Sequence, residues 1–210
     1  MPKDTFHNLP EEKRQLIEDV SVQEFAYFGY DNAAINRIVE KCNIAKGSFY
    51  QYFEDKKDLF LHLLARNAEK KLEYISPVLK NPERHDFFTL IKESYISGLK
   101  FASDNPNVAR LGNWLLNNNN HPVFKELIDK SMPKAIDFYS ELLKKAVING
   151  EIRKDIDIDF VSNAISHLNA GMMDYYFKKH EGSEFGSEEF SKDIMDTVDL
   201  MIDFIKNGVK

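Results

Sequence analysis

Residues 33–53, with the sequence AAINRIVEKCNIAKGSFYQYF, decide the fold of this chain. Apolar residues recur at helical spacing on both sides of Asn43, which predicts two short helices joined by a tight turn. Asparagine tolerates the left-handed backbone conformation that such a turn often requires. Phe49 and Phe53 lie four residues apart, so we expect both rings to face the core with Ile38. This spacing is typical of a helix-turn-helix.

The side chains left on the outer face of the second short helix are unusual for a solvated surface. They are Lys46, Gly47, Ser48, Tyr50, Gln51 and Tyr52. Hydroxyl groups and lysine donate hydrogen bonds to phosphate, and glutamine can pair bidentately with adenine. Five cations, among them Arg37 and Lys56, accompany three anions between residues 33 and 57. The face therefore suits DNA, and amphipathic packing of the tyrosines is the alternative.

Residues 25–60, FAYFGYDNAAINRIVEKCNIAKGSFYQYFEDKKDLF, closely resemble the DNA-binding region of TetR-family transcriptional regulators. The matching residues, at the family's spacing, are Phe28, Gly29, Tyr30, Ile35, Ile38, Lys46, Gly47, Tyr50, Phe53, Lys56 and Leu59. The resemblance covers about the first third of the chain. Together with the chemistry and charge of the outer face, it predicts operator contacts by the residues Arg37, Lys46, Gly47, Ser48, Tyr50, Gln51, Tyr52 and Lys56.

Several positions depart from the family's pattern, among them Val39, Asn43 and Tyr52, and two departures concern the start of the first short helix. Ala33 and Ala34 stand where the family usually has hydroxyl residues, which cap the helix and touch phosphate. We expect Asn32 or Asp31 to cap this helix instead.

The rest of the chain has helical periodicity, and we identify no strand. We predict an all-α fold, with a three-helix helix-turn-helix domain at residues 1–54. A helical ligand-binding and dimerisation domain is predicted at residues 55–210. The first long helix is expected to begin at Pro10 and to end at Gly29. The helix that follows residue 54 is expected to end near Pro77.

Composition limits the class of protein. The formal net charge is −6, which argues against a non-specific nucleic-acid coat. A single cysteine, Cys42, cannot form an internal disulfide, and the chain has neither an apolar run of membrane-spanning length nor a signal-peptide pattern. These features predict a cytoplasmic protein that does not enter the membrane.

Catalytic and metal-binding patterns are missing from the sequence. The six histidines are scattered without a pair at i, i+4, and one cysteine supplies no metal cluster. We identify no nucleophile elbow, phosphate loop or dinucleotide fingerprint. We therefore expect neither an enzyme, nor a metal site, nor a cofactor.

Large rings are frequent between residues 87 and 142. Plain core packing accounts for most of them, but the family resemblance implies a small-molecule pocket in this part of the chain. An apolar pocket favours a small hydrophobic inducer, such as an acyl chain or an aromatic compound. The predicted ligand-binding residues are Phe88, Tyr95, Leu99, Asn113, Trp114, Phe138 and Tyr139.

Apolar stripes on the last two predicted helices indicate either an internal core or an interface. The family pattern implies a dimer interface of two helices from each chain, formed here by Ile165, Leu168, Met172, Val198, Met201 and Ile205. A homodimer fits a palindromic operator. The sequence thus predicts a ligand-responsive transcriptional regulator, a repressor released from operator DNA by its inducer. The alternative is a helical small-molecule-binding protein without DNA function.

Overall fold

The computed structural model of the chain describes residues 2–79, 85–179 and 188–209. Within these ranges it contains ten α-helices and no strand, which confirms the all-α prediction. The helices are α1 (Asp4–His7), α2 (Glu11–Asn32), α3 (Ile35–Lys41), α4 (Lys46–Tyr52), α5 (Lys56–Leu79), α6 (Phe87–Asp104), α7 (Pro106–Asn117), α8 (Pro122–Ile148), α9 (Ile158–Lys179) and α10 (Glu188–Val209).

The chain divides into two compact units. The first contains residues 1–71 and 105–115, and so includes α1 to α4, most of α5 and most of α7. The second contains residues 72–104 and 116–210. The first unit therefore extends beyond residue 54, and α5 and α7 each contribute residues to both units.

Helix α2 begins directly after Pro10, as the sequence predicts, with Glu11 and Glu12 in its first turn. Carboxylates are favourable there because the helix N-terminus carries partial positive charge. The helical conformation is interrupted at Gly29, where φ is 68° and ψ is 174°. Positive φ is a conformation that glycine adopts without steric cost. One further turn then carries the chain to Asn32.

The turn between α3 and α4 has the predicted geometry. Asn43 is the non-glycine residue with positive φ, at 50°, among the residues described. The turn allows Ile38, Phe49 and Phe53 to pack together, and none of these side chains is more than 1% exposed. Two-turn helices of this length are marginal in isolation, so this burial stabilises the pair.

The start of α5 is fixed by two side-chain hydrogen bonds. Asp55 Oδ1 accepts from the Asp58 amide at 2.8 Å, and Asp58 Oδ2 accepts from the Glu54 amide at 3.1 Å. The first bond is that of a capping box, whereas the second comes from the amide one residue before Asp55. The helix continues through Pro77 to Leu79, slightly beyond the end expected from the proline.

Helices α6, α8, α9 and α10 supply the core of the second unit. Its buried residues are Phe87, Phe88, Leu90, Ile91, Tyr139, Leu142, Leu143, Ala146, Ile152, Ile165, Met172, Val198, Met201 and Ile205. Every helix of this group thus contributes an apolar face to one cluster. None of the helices described is long and apolar enough to cross a lipid bilayer.

Candidate nucleic-acid interface

Helix α4 separates its residues into a buried and an exposed face. Phe49 is buried, and Phe53, directly after the helix, is fully buried. The exposed positions are Lys46, Gly47, Tyr50 and Gln51, while Ser48 and Tyr52 are half-buried. No heavy atom lies within 4 Å of the position that a Cβ on Gly47 would occupy. The side chains that the sequence analysis selected on α4 therefore form one open surface.

Lys56 does not belong to this open surface. Its ammonium donates to the carbonyls of Tyr30, Asp31 and Ala33 at 2.7, 3.0 and 3.2 Å. It also lies 4.8 Å from the ring centroid of Tyr30. These carbonyls follow the break at Gly29, so the lysine satisfies backbone groups that the interrupted helix leaves open.

Arg37 likewise makes intramolecular contacts. Its Nε donates to Glu24 Oε1 at 2.7 Å, and its Nη2 donates to the Asn32 carbonyl at 2.8 Å. The guanidinium carbon lies 4.1 Å from the ring centroid of Phe28, a cation–π distance. The group remains partly exposed, but most of its donors have intramolecular partners.

The structure answers the question raised by the two alanines before α3. The expectation that Asn32 or Asp31 caps this helix is wrong, because Ala34 is the N-cap and no side chain caps it in the usual way. Instead the fully buried carboxylate of Glu24 accepts from the Ala34 amide at 2.9 Å. Ala33 is buried. Sequence periodicity alone does not reveal Glu24, because a glutamate on α2 ordinarily predicts a solvated position.

The open surface has the chemistry of a DNA-reading helix. Lys46 and the Tyr50 hydroxyl are donors suited to phosphate, and Gln51 offers the paired donor and acceptor that adenine accepts in the major groove. Gly47 leaves room for close approach of a nucleic-acid backbone. Burial of Phe49 fixes the rotation of α4 about its axis, and this fixes which side chains point outward.

Comparison with known proteins identifies this arrangement. Residues 17–63, from α2 to α5, match the family described as bacterial regulatory proteins, tetR family. Residues 17–63 are therefore similar to the DNA-binding region of the tetR family of bacterial regulatory proteins.

Two known proteins are similar to the chain over most of its length. The "Probable acrEF/envCD operon repressor" of Escherichia coli K12 is 24% identical over 172 residues, covering 80% of this chain and 78% of the relative. A TetR-family transcriptional regulator from Chloroflexus aurantiacus is 26% identical with a TM-score of 0.58, covering 100% of this chain and 98% of that one.

A third protein of similar fold has a structure with a bound ligand. FadR from Bacillus subtilis, solved in complex with stearoyl-CoA, is 17% identical with a TM-score of 0.63. The similarity covers 88% of this chain and 96% of FadR, and at this identity it supports the fold.

The residues predicted to bind ligand do not all lie in one unit of the chain. Phe88 and Tyr139 are buried in the core cluster of the second unit, with Tyr95 and Phe138 packed against it. Leu99 packs separately against Ile194. The Tyr95 hydroxyl donates to Asn169 Oδ1. Burial raises the pKa of Tyr139 to about 12 and raises the pKa of Tyr95 further, so both phenols are neutral near pH 7.

Asn113 and Trp114 belong to the first unit. Indole atom Nε1 of Trp114 lies 2.5 Å from the position that a Cβ on Gly29 would occupy. The indole centroid lies 5.9 Å from the Phe60 ring and 6.1 Å from the Tyr30 ring. The tryptophan is therefore packed against the break in α2.

The residues predicted to form a dimer interface are mostly core residues of a single chain. Ile165, Met172, Val198, Met201 and Ile205 are each at most 8% exposed, and Leu168 is half-buried. The internal-core alternative thus accounts for these five.

Exposed apolar residues of α9 and α10 lie on another face. Phe160, Leu200 and Phe204 are each more than 70% exposed, at 71%, 73% and 72%. They line a groove of about 1050 Å³ together with Ala164, Ile165, Leu168 and Ile205. Arg153, Asp157 and Asp203 also line it. Three of the predicted interface residues, Ile165, Leu168 and Ile205, thus line the groove. Sequence periodicity missed the three large exposed side chains because they fall outside the stripe that fills the core.

Other reactive groups are few in the part of the chain that the structure describes. No three His, Cys, Asp or Glu side chains come together there as possible metal ligands. Cys42 is buried, and burial raises the pKa of its thiol, which disfavours the reactive thiolate.

Proposed function

We propose that this chain is a TetR-family, ligand-responsive repressor that binds palindromic operator DNA as a homodimer and is released by a small, mostly apolar inducer. The observation that carries the DNA part is the exposure of Lys46, Gly47, Tyr50 and Gln51 on α4 while Phe49 and Phe53 are buried. A buried face fixes the helix, and the exposed face supplies phosphate donors beside one base-reading amide.

The roles on this face differ in their dependence on sequence. Lys46 and Tyr50 contact phosphates, which position the helix for any duplex. Gln51, with Ser48 beside it, reads base edges. Arg37 and Lys56 act indirectly, since Arg37 Nε and Nη2 and the Lys56 ammonium already have intramolecular partners.

Lys46→Ala and Gln51→Ala test the DNA part. The probes are a duplex selected by the wild-type chain from a random pool and a scrambled duplex of equal composition. Lys46→Ala should weaken binding to both and make the salt slope shallower by about one unit, because one phosphate contact is lost. Gln51→Ala should cost about 1–3 kcal/mol on the selected duplex alone.

Lys125→Ala provides the matched control, because Lys125 is an exposed lysine of the second unit. It should leave both affinities unchanged. If Lys46→Ala behaved like this control, α4 would not be the DNA-contacting surface. A wild-type chain that selected no duplex would favour the alternative, a small-molecule-binding protein without DNA function.

The inducer site is proposed beside Phe88, Tyr95, Phe138 and Tyr139. These rings supply apolar surface, and the neutral hydroxyl of Tyr95 with Asn169 supplies a polar anchor. Burial of apolar ligand surface contributes about 25 cal/mol per Å², so an acyl chain or an aromatic compound is favoured over a sugar. The stearoyl-CoA in the FadR structure is consistent with an acyl ligand.

Helix α7 offers a route from ligand to DNA. Its residue Leu116 packs in the second unit against Ile194, and Trp114 packs in the first unit against Gly29. A ligand that favours one position of α7 would change the packing at Gly29, provided that it binds the two states unequally. Titration with apolar and polar compounds should therefore release the selected duplex and shift Trp114 emission together, with apolar compounds the more effective. Release by polar compounds alone would contradict this site.

A homodimer is proposed through the exposed face of Phe160, Leu200 and Phe204. An apolar groove of this size on a free surface is typical of an interaction site. Because a two-fold axis relates two copies of α4, the operator would be palindromic.

A further inference from the structure

The last turn of α4 is covered by a short segment that precedes α2. This segment, the arm, comprises residues 3–6. Phe6 in the arm is 1% exposed, and its ring centroid lies 4.8 Å from that of Phe53 and 5.4 Å from that of His62. The arm is therefore anchored in the same core that holds the inner face of α4.

Polar groups of the arm donate hydrogen bonds to the carbonyls at the C-terminal end of α4. The Lys3 amide donates to the Tyr52 carbonyl at 2.8 Å, and the Lys3 ammonium donates to the Tyr50 carbonyl at 3.1 Å. The Thr5 hydroxyl donates to the Gln51 carbonyl. The preceding carbonyl, of Phe49, accepts from the Phe53 amide. The carbonyls that a helix C-terminus leaves open are thus all satisfied here, three of them by the arm.

The charge of Lys3 adds to this arrangement. A helix C-terminus carries partial negative charge, so an ammonium placed on it is stabilising. A second contact, to Glu54 Oε1 at 3.5 Å, holds the same ammonium beside the helix end. A helix of seven residues has little stability of its own, and it depends on contacts of this kind.

We propose that Lys3, Thr5 and Phe6 are positioning residues that hold α4 in the orientation required to read DNA. This inference rests on the proposed role of α4. The arm donates hydrogen bonds to the carbonyls of Tyr50, Gln51 and Tyr52. The side chains of Tyr50 and Gln51 are exposed on the proposed DNA-contacting face. Fixing the carbonyls fixes the direction of those side chains, so the arm acts on specificity through α4 without touching bases.

Thr5→Val and Lys3→Met test the proposal. Valine keeps the shape of threonine and removes the donor, and methionine keeps the aliphatic stem of lysine and removes the charge. The probes are the duplex selected by the wild-type chain and its scrambled version. Each variant should lower the ratio of the two affinities about three- to tenfold, which is the expected effect of one lost hydrogen bond. The salt slope should remain that of the wild type, because no phosphate contact is lost.

Hydrogen exchange supplies a readout independent of DNA. Backbone amides of residues 49–53 should exchange faster in Thr5→Val, while those of residues 17–25 in α2 remain protected as in the wild type. Lys125→Met is the control for loss of one lysine charge, and it should change neither the affinity ratio nor the exchange.

Two results would overturn the inference while leaving the proposed function intact. One is an unchanged affinity ratio and unchanged exchange in Thr5→Val. The other is a Lys3→Met variant that weakens both duplexes equally with a salt slope shallower by about one unit, since Lys3 would then be a phosphate contact. A wild-type chain that prefers no duplex would instead overturn the proposed function, and with it the arm's effect on specificity.

Discussion

Glu24 is the residue that compensates for the missing hydroxyl caps before α3. Its buried Oε1 serves the Ala34 amide and Arg37 Nε together, whereas Oε2 has no hydrogen-bond partner in the described part of the chain. Glu24→Gln keeps the shape but removes the charge that pairs with the guanidinium. We expect a loss of about 1–2 kcal/mol in the free energy of unfolding, below the usual cost of breaking a buried ion pair because Arg37 is partly exposed. Urea denaturation measures it.

Glu12→Gln is the matched control, because Glu12 is exposed in the first turn of the same helix. Its effect should stay within about 0.5 kcal/mol, the usual range for surface substitutions. Equal stability of the two variants would mean that Glu24 contributes nothing to the start of α3.

Tyr139 gives the second unit a dependence on alkaline pH. Burial raises the pKa of its phenol from 10 to about 12. A raised pKa favours the neutral form in the folded state, so this stabilisation is complete below pH 10 and is lost as the pH rises towards 12. Between these values the folded chain should lose about 1.4 kcal/mol per pH unit through this group.

Tyr139→Phe tests this dependence. The variant has no titrating phenol at this site, so its urea stability should fall less steeply than that of the wild type between pH 10 and pH 11. Parallel slopes for the variant and the wild type would show that Tyr139 ionises as freely when folded as when unfolded.

At the scale of elements, α2 and α7 pack so closely that the residue at position 29 is restricted to glycine. Gly29 needs its positive φ of 68°, and it also needs the absence of a side chain, because a Cβ would lie 2.5 Å from Trp114 Nε1 and 2.9 Å from its Cδ1. Gly29→Ala should therefore lower the free energy of unfolding by about 2 kcal/mol or more and shift the emission of Trp114. Fluorescence and urea denaturation report both effects.

Gly112→Ala is the control for this substitution. Gly112 lies in α7 two residues before Trp114, and no heavy atom is within 4 Å of a Cβ placed on it. Alanine should raise stability there by up to about 1 kcal/mol, since glycine is the weaker helix former. A Gly29→Ala chain with wild-type stability and emission would show that α7 can move away from α2 without cost.

The helices and turns were largely predictable from the sequence, whereas the side-chain contacts between them were not. The positive φ of Asn43 and the burial of Phe49 and Phe53 follow from local rules on turns and helical spacing, and all were predicted correctly. Helix α1 was missed because four residues are too few for a periodic signal. Phe6, an apolar residue in a charged segment, was the available clue.

The contacts of single side chains depend on distant parts of the chain. Periodicity gave no sign that Lys56 would turn to the carbonyls after Gly29, or that Glu24 would pair with Arg37. It also could not place Trp114, because an aromatic residue on an amphipathic helix has the same pattern whichever unit it joins. The proposed DNA face needed only local spacing, whereas the proposed ligand site needed the fold.

For the whole molecule, the apolar residues of α10 divide between two roles. Val198 is fully buried in the chain's own core, whereas Phe204, six residues later, is 72% exposed in the groove. Helical periodicity predicts apolar character at both positions without stating which one contacts a second chain. The exposed fraction of each side chain makes that distinction. A charge placed at position 198 and a charge placed at position 204 are therefore expected to have different effects on folding and on dimer formation.

Phe204→Glu should yield a folded monomer. Its side chain already meets solvent in the isolated chain, so a carboxylate there costs little in folding, but it would lose its hydration inside a dimer interface. Val198→Glu should instead unfold the second unit, because an unpaired charge would enter the core. Light scattering gives the mass, and circular dichroism gives the helicity. Monomeric Phe204→Glu should also bind the selected duplex more weakly, since each half-site would be bound independently.

Ile148→Glu is the control for adding a carboxylate to an exposed apolar site. Ile148 is 82% exposed at the end of α8, and it is not among the residues that line the groove of α9 and α10. We expect this variant to keep the wild-type mass and the wild-type affinity for the selected duplex. Monomer formation by Ile148→Glu would indicate that added charge alone separates the chains. A Phe204→Glu chain that remained a dimer would move the interface away from this groove, because a carboxylate at its centre could not be buried without a partner.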